Sequence, residues 1–182
     1  MPSYVFDQRV VDPEQRPWGF RGAKTLINPP TPYTESFESG FGSWSNDPAS
    51  TSGWVRESGA TGSSGTGPSG AHDGTYYAYV ETSTSGSNAS GDEDIIELDL
   101  GVDQYDGQVD FWFHQYGGDQ GTLYLEGYDG AAWESLWSSA GDQGDVWLNQ
   151  TVEFAGKTAL RFRNVAAGGY MGDVALDLIA VS

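Results

Sequence analysis

A chain of 182 residues has room for one well-packed domain and an appendage, and its lack of cysteine excludes disulfides and thiolate metal sites. With 26 acidic against 8 basic residues, a net charge of -18 excludes a phosphate-backbone binder and favours solubility. No apolar run reaches the roughly 18 residues of a membrane-spanning helix.

The charge is unevenly distributed along the chain. Residues 1–33 hold four basic groups (Arg9, Arg16, Arg21, Lys24), three acidic ones and six of the eight prolines; the remainder holds 4 basic and 23 acidic groups. A proline-rich stretch without sustained periodicity predicts an extended arm over residues 1–34, with the boundary near Tyr33–Glu35. Its large side chains are wasted in a solvated tail. Phe6, Arg9, Arg16, Trp18, Phe20 and Arg21 are therefore expected to dock on a partner, either another subunit of a larger assembly or the acidic module of a second copy.

From residue 35 the signals are those of strands. Residues 76–82, 94–100, 109–116, 121–128, 131–137, 148–154 and 158–164 are short, rich in β-branched and aromatic residues, and bounded by Gly, Asp and Ser turns. Several alternate, as in Leu160 and Phe162 against Arg161 and Arg163. The expected fold is all-β: a two-sheet antiparallel jelly-roll sandwich spanning residues 35–182, preceded by the arm. The Gly/Ser-rich stretch 57–74 is expected to be an ordered loop crossing one end of the sandwich.

The closing run Val174–Val181 raises one difficulty, because Asp177 sits in its middle. A buried carboxylate needs either a cation or several hydrogen-bond donors. Catalysis is a poor explanation for the other polar groups. His72 and His114 are the only histidines, and Glu97 and Asp99, on one strand face, lack the third carboxylate of a glycosidase-like ladder. Tyr116, Trp133, Trp137 and Tyr170 flank glycine-rich turns, where a ring stacks on sugar or protein or simply packs in the core.

Five blocks, "ESFESGFGSWSND", "GWVRESGATGSSGTGPSGAHDGTYYAYVETS", "FWFHQYGGDQGTLYLEGYDG", "WESLWSSAGDQGDVW" and "LRFRNVAAGGYMGDVALDLIAVS", occur in the order that resembles a MAM domain, the adhesion module of meprin, A5 and receptor phosphatase mu. The resemblance is to a cysteine-free, bacterial or phage-like version. It implies a non-enzymatic jelly roll. It also implies calcium tying the first and last strands together through Glu38, Asp47, Asp73 and Asp177, because calcium takes six to eight hard oxygens. The family's second closing aspartate is Leu178 here, which lowers the ligand count.

Two roles follow for such a module. One is an exterior structural protein (decoration, fibre or tail-associated) of a phage-like particle, docked through the arm and located on the virion surface. That role suits an extracellular-type domain with neither cysteines nor a recognisable signal peptide. The other is a glycan- or protein-binding module of a secreted bacterial hydrolase or protease.

Overall fold

The computed structural model describes residues 32–83, 89–101 and 103–182, and the six docking residues expected on the arm lie outside them. Among the described residues there are eleven strands: β1 (Tyr33–Glu35), β2 (Ser45–Asn46), β3 (Val55–Ser58), β4 (Tyr76–Val80), β5 (Glu93–Asp99), β6 (Tyr105–Gln115), β7 (Thr122–Tyr128), β8 (Trp133–Ala140), β9 (Leu148–Lys157), β10 (Ala159–Val165) and β11 (Val174–Val181). The first sheet runs β3-β4-β11-β6-β9, with β1 also pairing β11; the second runs β2-β5-β10-β7-β8. Every pairing is antiparallel.

Period-two alternation builds the core between the sheets. Val109, Phe111 and Phe113 on β6, Leu123 and Leu125 on β7, and Leu160 and Phe162 on β10 all point inward and are buried. Phe111 meets Phe162 edge-on at 4.8 Å and Trp137 at 5.2 Å. Burying each such side chain is worth about 1.5–3 kcal/mol. A cysteine-free sandwich is held together in this way.

Tyr33 and Thr34, placed in the arm by composition, belong to β1, with Tyr33 opposite Val181 and Glu35 opposite Ile179. Glu38 does not open a strand but lies in the bend that follows β1.

The 59–75 loop is ordered, but it does not merely cross an end. It lies over the outer face of the first sheet. Trp147 Nε1 donates to the Gly70 carbonyl at 3.0 Å, His72 stacks on Trp112 at 3.6 Å, and Ala71 packs with Tyr77, Tyr79 and Ala175. Those sheet residues alternate with the core-facing ones, so β11 is covered on both sides. Its near-continuous apolar run follows from that double burial.

Candidate functional site

The covering loop is fastened by two carboxylates from opposite ends of the module. Asp177 is completely buried. Its Oδ2 accepts the amide N–H of His72 at 2.8 Å and of Asp73 at 2.9 Å, while Oδ1 accepts the amide of Leu178 at 2.7 Å. Glu38 Oε1 accepts the amides of Thr75 and Tyr76 at 2.8 and 2.7 Å. Arg56 secures the Glu38 bend by donating to the carbonyls of Phe37 (2.6 Å) and Glu38 (2.9 Å), with its guanidinium over the Tyr76 ring at 4.1 Å.

Local backbone makes this approach possible. Gly74 has φ +64, and a Cβ there would stand 2.6 Å from Glu38 Oε1. Only glycine fits both constraints. On β11 the register slips between Asp177 and Ala180, and Leu178 takes φ 45. This bulge reverses the alternation, so Leu176 and Ile179 both reach the core while Asp177 points up at the loop. Burial raises the Asp177 pKa to about 6 against the lowering pull of the Asp73, Leu178 and His72 amides. The exposed Glu38 is held below the usual carboxylate range by the Tyr76 and Thr75 amides.

This chemistry differs from a calcium cage. Of the four carboxylates expected to share an ion, Glu38 and Asp177 face N–H donors, which carry positive partial charge and compete with a cation. Asp73 contributes its amide to Asp177. Asp47 lies beyond β2 on the other sheet, where its amide bonds the Ile95 carbonyl and its carboxylate accepts from Ala49. Among the described residues, no group of three or more His, Asp or Glu is placed to hold a metal. These four carboxylates are therefore not grouped as the shared ligands of one calcium ion, which takes six to eight oxygens, would be.

The four aromatic rings singled out in the sequence do not share one surface. Spacing alone would put Trp133 and Trp137 on the same face of β8. The register shift between the Leu125–Trp137 and Glu126–Ser135 pairs inserts an extra residue and turns Trp137 inward, against Phe111 and Phe113. Tyr116 is half-buried beside the covering loop, its carbonyl accepting from Gly67. Tyr170 projects from the β10–β11 loop, 56% exposed.

Trp133 instead belongs to a ladder across the outer face of the second sheet. Arg161 lies over its ring at 4.2 Å, and Arg163 lies over Tyr124 at 4.4 Å. Between the two arginines, Glu126 accepts from Arg161 Nε at 2.6 Å and from Arg163 at 2.7 and 3.1 Å; Arg163 also reaches Glu93 at 2.8 Å. Burial alone would raise the Glu126 pKa, but the Arg163 and Arg161 guanidiniums outweigh it and hold the carboxyl below its ordinary value. Tyr128 extends the row, tilted against Trp133 at 5.2 Å. Tyr124, Glu126, Arg161 and Arg163 were not singled out as site residues. The alternation of "LRFR" points both arginines outward, but the cross-strand register that stacks them on rings is not a local signal.

A small cleft of about 170 Å3 opens on the first sheet between the covering loop and the segment entering β9, lined by His114, Asp145, Val146 and Trp147 among others. His114 Nε2 pairs with Asp145 Oδ1 at 3.2 Å. Burial holds the imidazole pKa below its ordinary value despite the Asp145 charge.

The same architecture occurs in known proteins. The K2 cleaved adhesin domain of Lys-gingipain superposes with a TM-score of 0.63 at 16% identity, covering 84% of this chain and 99% of that one. The K1 adhesin domain of Lys-gingipain from Porphyromonas gingivalis W83 gives 0.60 at 18% identity, with coverage of 84% and 98%. In sequence, the chain is 28% identical over 157 residues to human (Homo sapiens) MAM domain-containing protein 2, covering 82% of this chain and 22% of that protein. It is 27% identical over 161 residues to Neuropilin-1a of Danio rerio, covering 80% and 17%. It thus spans only about a fifth of these relatives. The MAM domain, meprin/A5/mu, matches residues 36–182, the whole sandwich except β1, and the chain belongs to that family.

Proposed function

We propose that this MAM module is a non-catalytic adhesion or assembly unit that meets its partner with the outer face of the second sheet. The observation that carries the reading is the Trp133–Arg161–Glu126–Arg163–Tyr124 ladder. Each arginine is fixed between a ring and a carboxylate, so the planar groups are pre-organised and lose little freedom on contact. Their charges are already paired, which suits a neutral hydroxyl-rich or mixed protein surface better than a polyanion. The setting we propose is extracellular, or the exterior of a phage-like particle, with residues 1–31, the part of the arm that precedes β1, as the tether to other subunits or to a second copy. The adhesin fold shared with the Lys-gingipain domains supports the other setting, a glycan- or protein-binding module attached to a secreted hydrolase or protease.

Binding of the full chain to immobilised glycan and host-surface protein panels tests the contact face. Trp133→Ala and Tyr124→Ala should each weaken capture at least tenfold without lowering the melting temperature by more than a few degrees. Capture that is indifferent to both substitutions removes the second sheet from the reading. Glu97 pairs in register with Arg161 on this face. Polysaccharide, peptide or ester turnover that disappears in Glu97→Gln would replace adhesion with catalysis.

A further inference from the structure

The His114–Asp145 cleft lies on the other sheet and has a site character of its own. His114 is its floor, 2% exposed. Ionised Asp145 can only accept, so the bonded Nε2 carries the proton and Nδ1 is a bare acceptor. Nδ1 is buried and has no partner among the described residues. A buried acceptor in that condition is costly unless a donor reaches it.

Asp145 is 61% exposed at its side chain, and its contact with His114 uses only Oδ1. One wall is Trp147, whose N–H is spent on the Gly70 carbonyl and whose ring meets His114 at 5.4 Å and Tyr77 at 6.0 Å. Val146 beside it is 49% exposed, one of few large apolar side chains so placed among the described residues. Apart from Ser69, the polar side chains free to engage a ligand are acceptors. The ligand must therefore bring O–H or N–H donors together with an apolar face. A volume of about 170 Å3 corresponds to the liquid share of about five or six waters, enough for one small ring.

We propose that this cleft binds a single pyranose-type sugar residue. Adjacent hydroxyls donate to the Asp145 carboxylate, and the C–H face of the ring lies against Trp147 and Val146. One water trapped beneath the ring supplies the donor that the buried His114 Nδ1 lacks. A small ammonium would satisfy Asp145 but would leave the apolar wall uncovered. The site shares no residue with the second-sheet ladder, so the two readings fail separately.

The test is a long-range ¹⁵N–¹H spectrum of the histidine rings in the full chain, titrated with free glucose, galactose, mannose and N-acetylglucosamine, and with n-butylammonium as the cationic control. The expected result is that at least one sugar shifts the His114 Nδ1 and Trp147 indole resonances. Asp145→Asn should weaken that sugar at least tenfold with an unchanged melting temperature, and Trp133→Ala should leave it unaffected. Trp147→Phe, which keeps a ring but loses the Gly70 bond, should also weaken it. The proposal is overturned if no sugar moves these resonances, if Asp145→Asn binds as well as wild type, or if only the ammonium acts.

Discussion

Asp177 shows how one residue can look anomalous in sequence and still be satisfied in the fold. Its three amide partners come from the covering loop and from its own bulge, so truncation to alanine strands buried donors. Asp177→Ala should cost about 2–4 kcal/mol at neutral pH, read from chemical denaturation, because each unpaired donor costs about 1–3 kcal/mol and charged acceptors bond most strongly. Asp177→Asn keeps one acceptor oxygen but turns an NH2 toward an N–H, and should cost less than alanine. The pH dependence has a definite sign. The folded pKa of about 6 lies above the ordinary 3.8, so the native state binds the proton more tightly. That contribution is fully present below about 3.8 and is lost as pH rises through about 6. The stability of wild type relative to Asp177→Asn should therefore grow as pH falls from 7 to 4. Glu126 and Glu38 act oppositely, since their folded pKa values are depressed, but they are common to both proteins and cancel in the difference. A flat difference across that range would mean that burial does not dominate at Asp177. The sequence reading held both a cation and backbone donors open as partners, since it could identify the need but not the supplier. Donors 104 and 105 residues away become visible only once the loop is placed.

At the scale of elements, strands with a strong alternating pattern were legible and their exceptions were not. The β11 run, the Leu160/Phe162 alternation and the aromatic stretch of β6 each declare an inward face locally. β1 and β2, three and two residues long, carry too little pattern to be read before their partners β11 and β5 are known. The bulge in the β7–β8 pairing likewise hides in sequence, so Trp137 could not be told from Trp133 by spacing. The 59–75 loop illustrates the same limit: its order was legible, but the face it covers depends on where Trp112, Trp147 and Asp177 end up. Gly74 gives this element a direct test. Alanine there must adopt positive φ, costing about 1 kcal/mol, and push against Glu38. Gly74→Ala should lose about 1–3 kcal/mol and speed hydrogen exchange at the amides of His72, Asp73, Thr75 and Tyr76, while the β6 and β11 ladder amides stay protected. In the background of Glu38→Gln the added loss should be smaller than in wild type, because the two residues share one contact. Additive losses would show that Gly74 and Glu38 act independently.

At the scale of the whole molecule, the core, the loop clamp and β1 form one closed unit between Tyr33 and Ser182, which makes claims about metal and about the arm testable separately. The paired carboxylates already fasten the first and last segments, so we expect no specific calcium stabilisation. A folded-state ligand at 100 times its Kd adds about 2.7 kcal/mol, and a shift of several degrees between calcium and EDTA would establish an ion site that the clamp geometry does not prepare. The arm calls for a cut placed with the sheet in mind. Tyr33 pairs with Val181, and its hydroxyl donates to Glu35 and accepts the Ser43 amide at 3.0 and 2.8 Å. Removing residues through Tyr33 would therefore damage β1. Deleting residues 1–31 spares this strand and removes Phe6, Arg9, Arg16, Trp18, Phe20 and Arg21. If the arm is a tether, the shortened chain should melt within about 2 °C of the full one, since changes that leave core, caps and buried polar networks intact stay within about 0.5 kcal/mol, and it should keep its strand circular dichroism. Analytical ultracentrifugation then reads association. If the arm is the tether, a complex with a second copy or with the subunits of its assembly disappears on truncation while binding through the second sheet persists. A truncated chain that unfolds makes the arm part of the sandwich, and one that still associates puts the docking surface on the sheets.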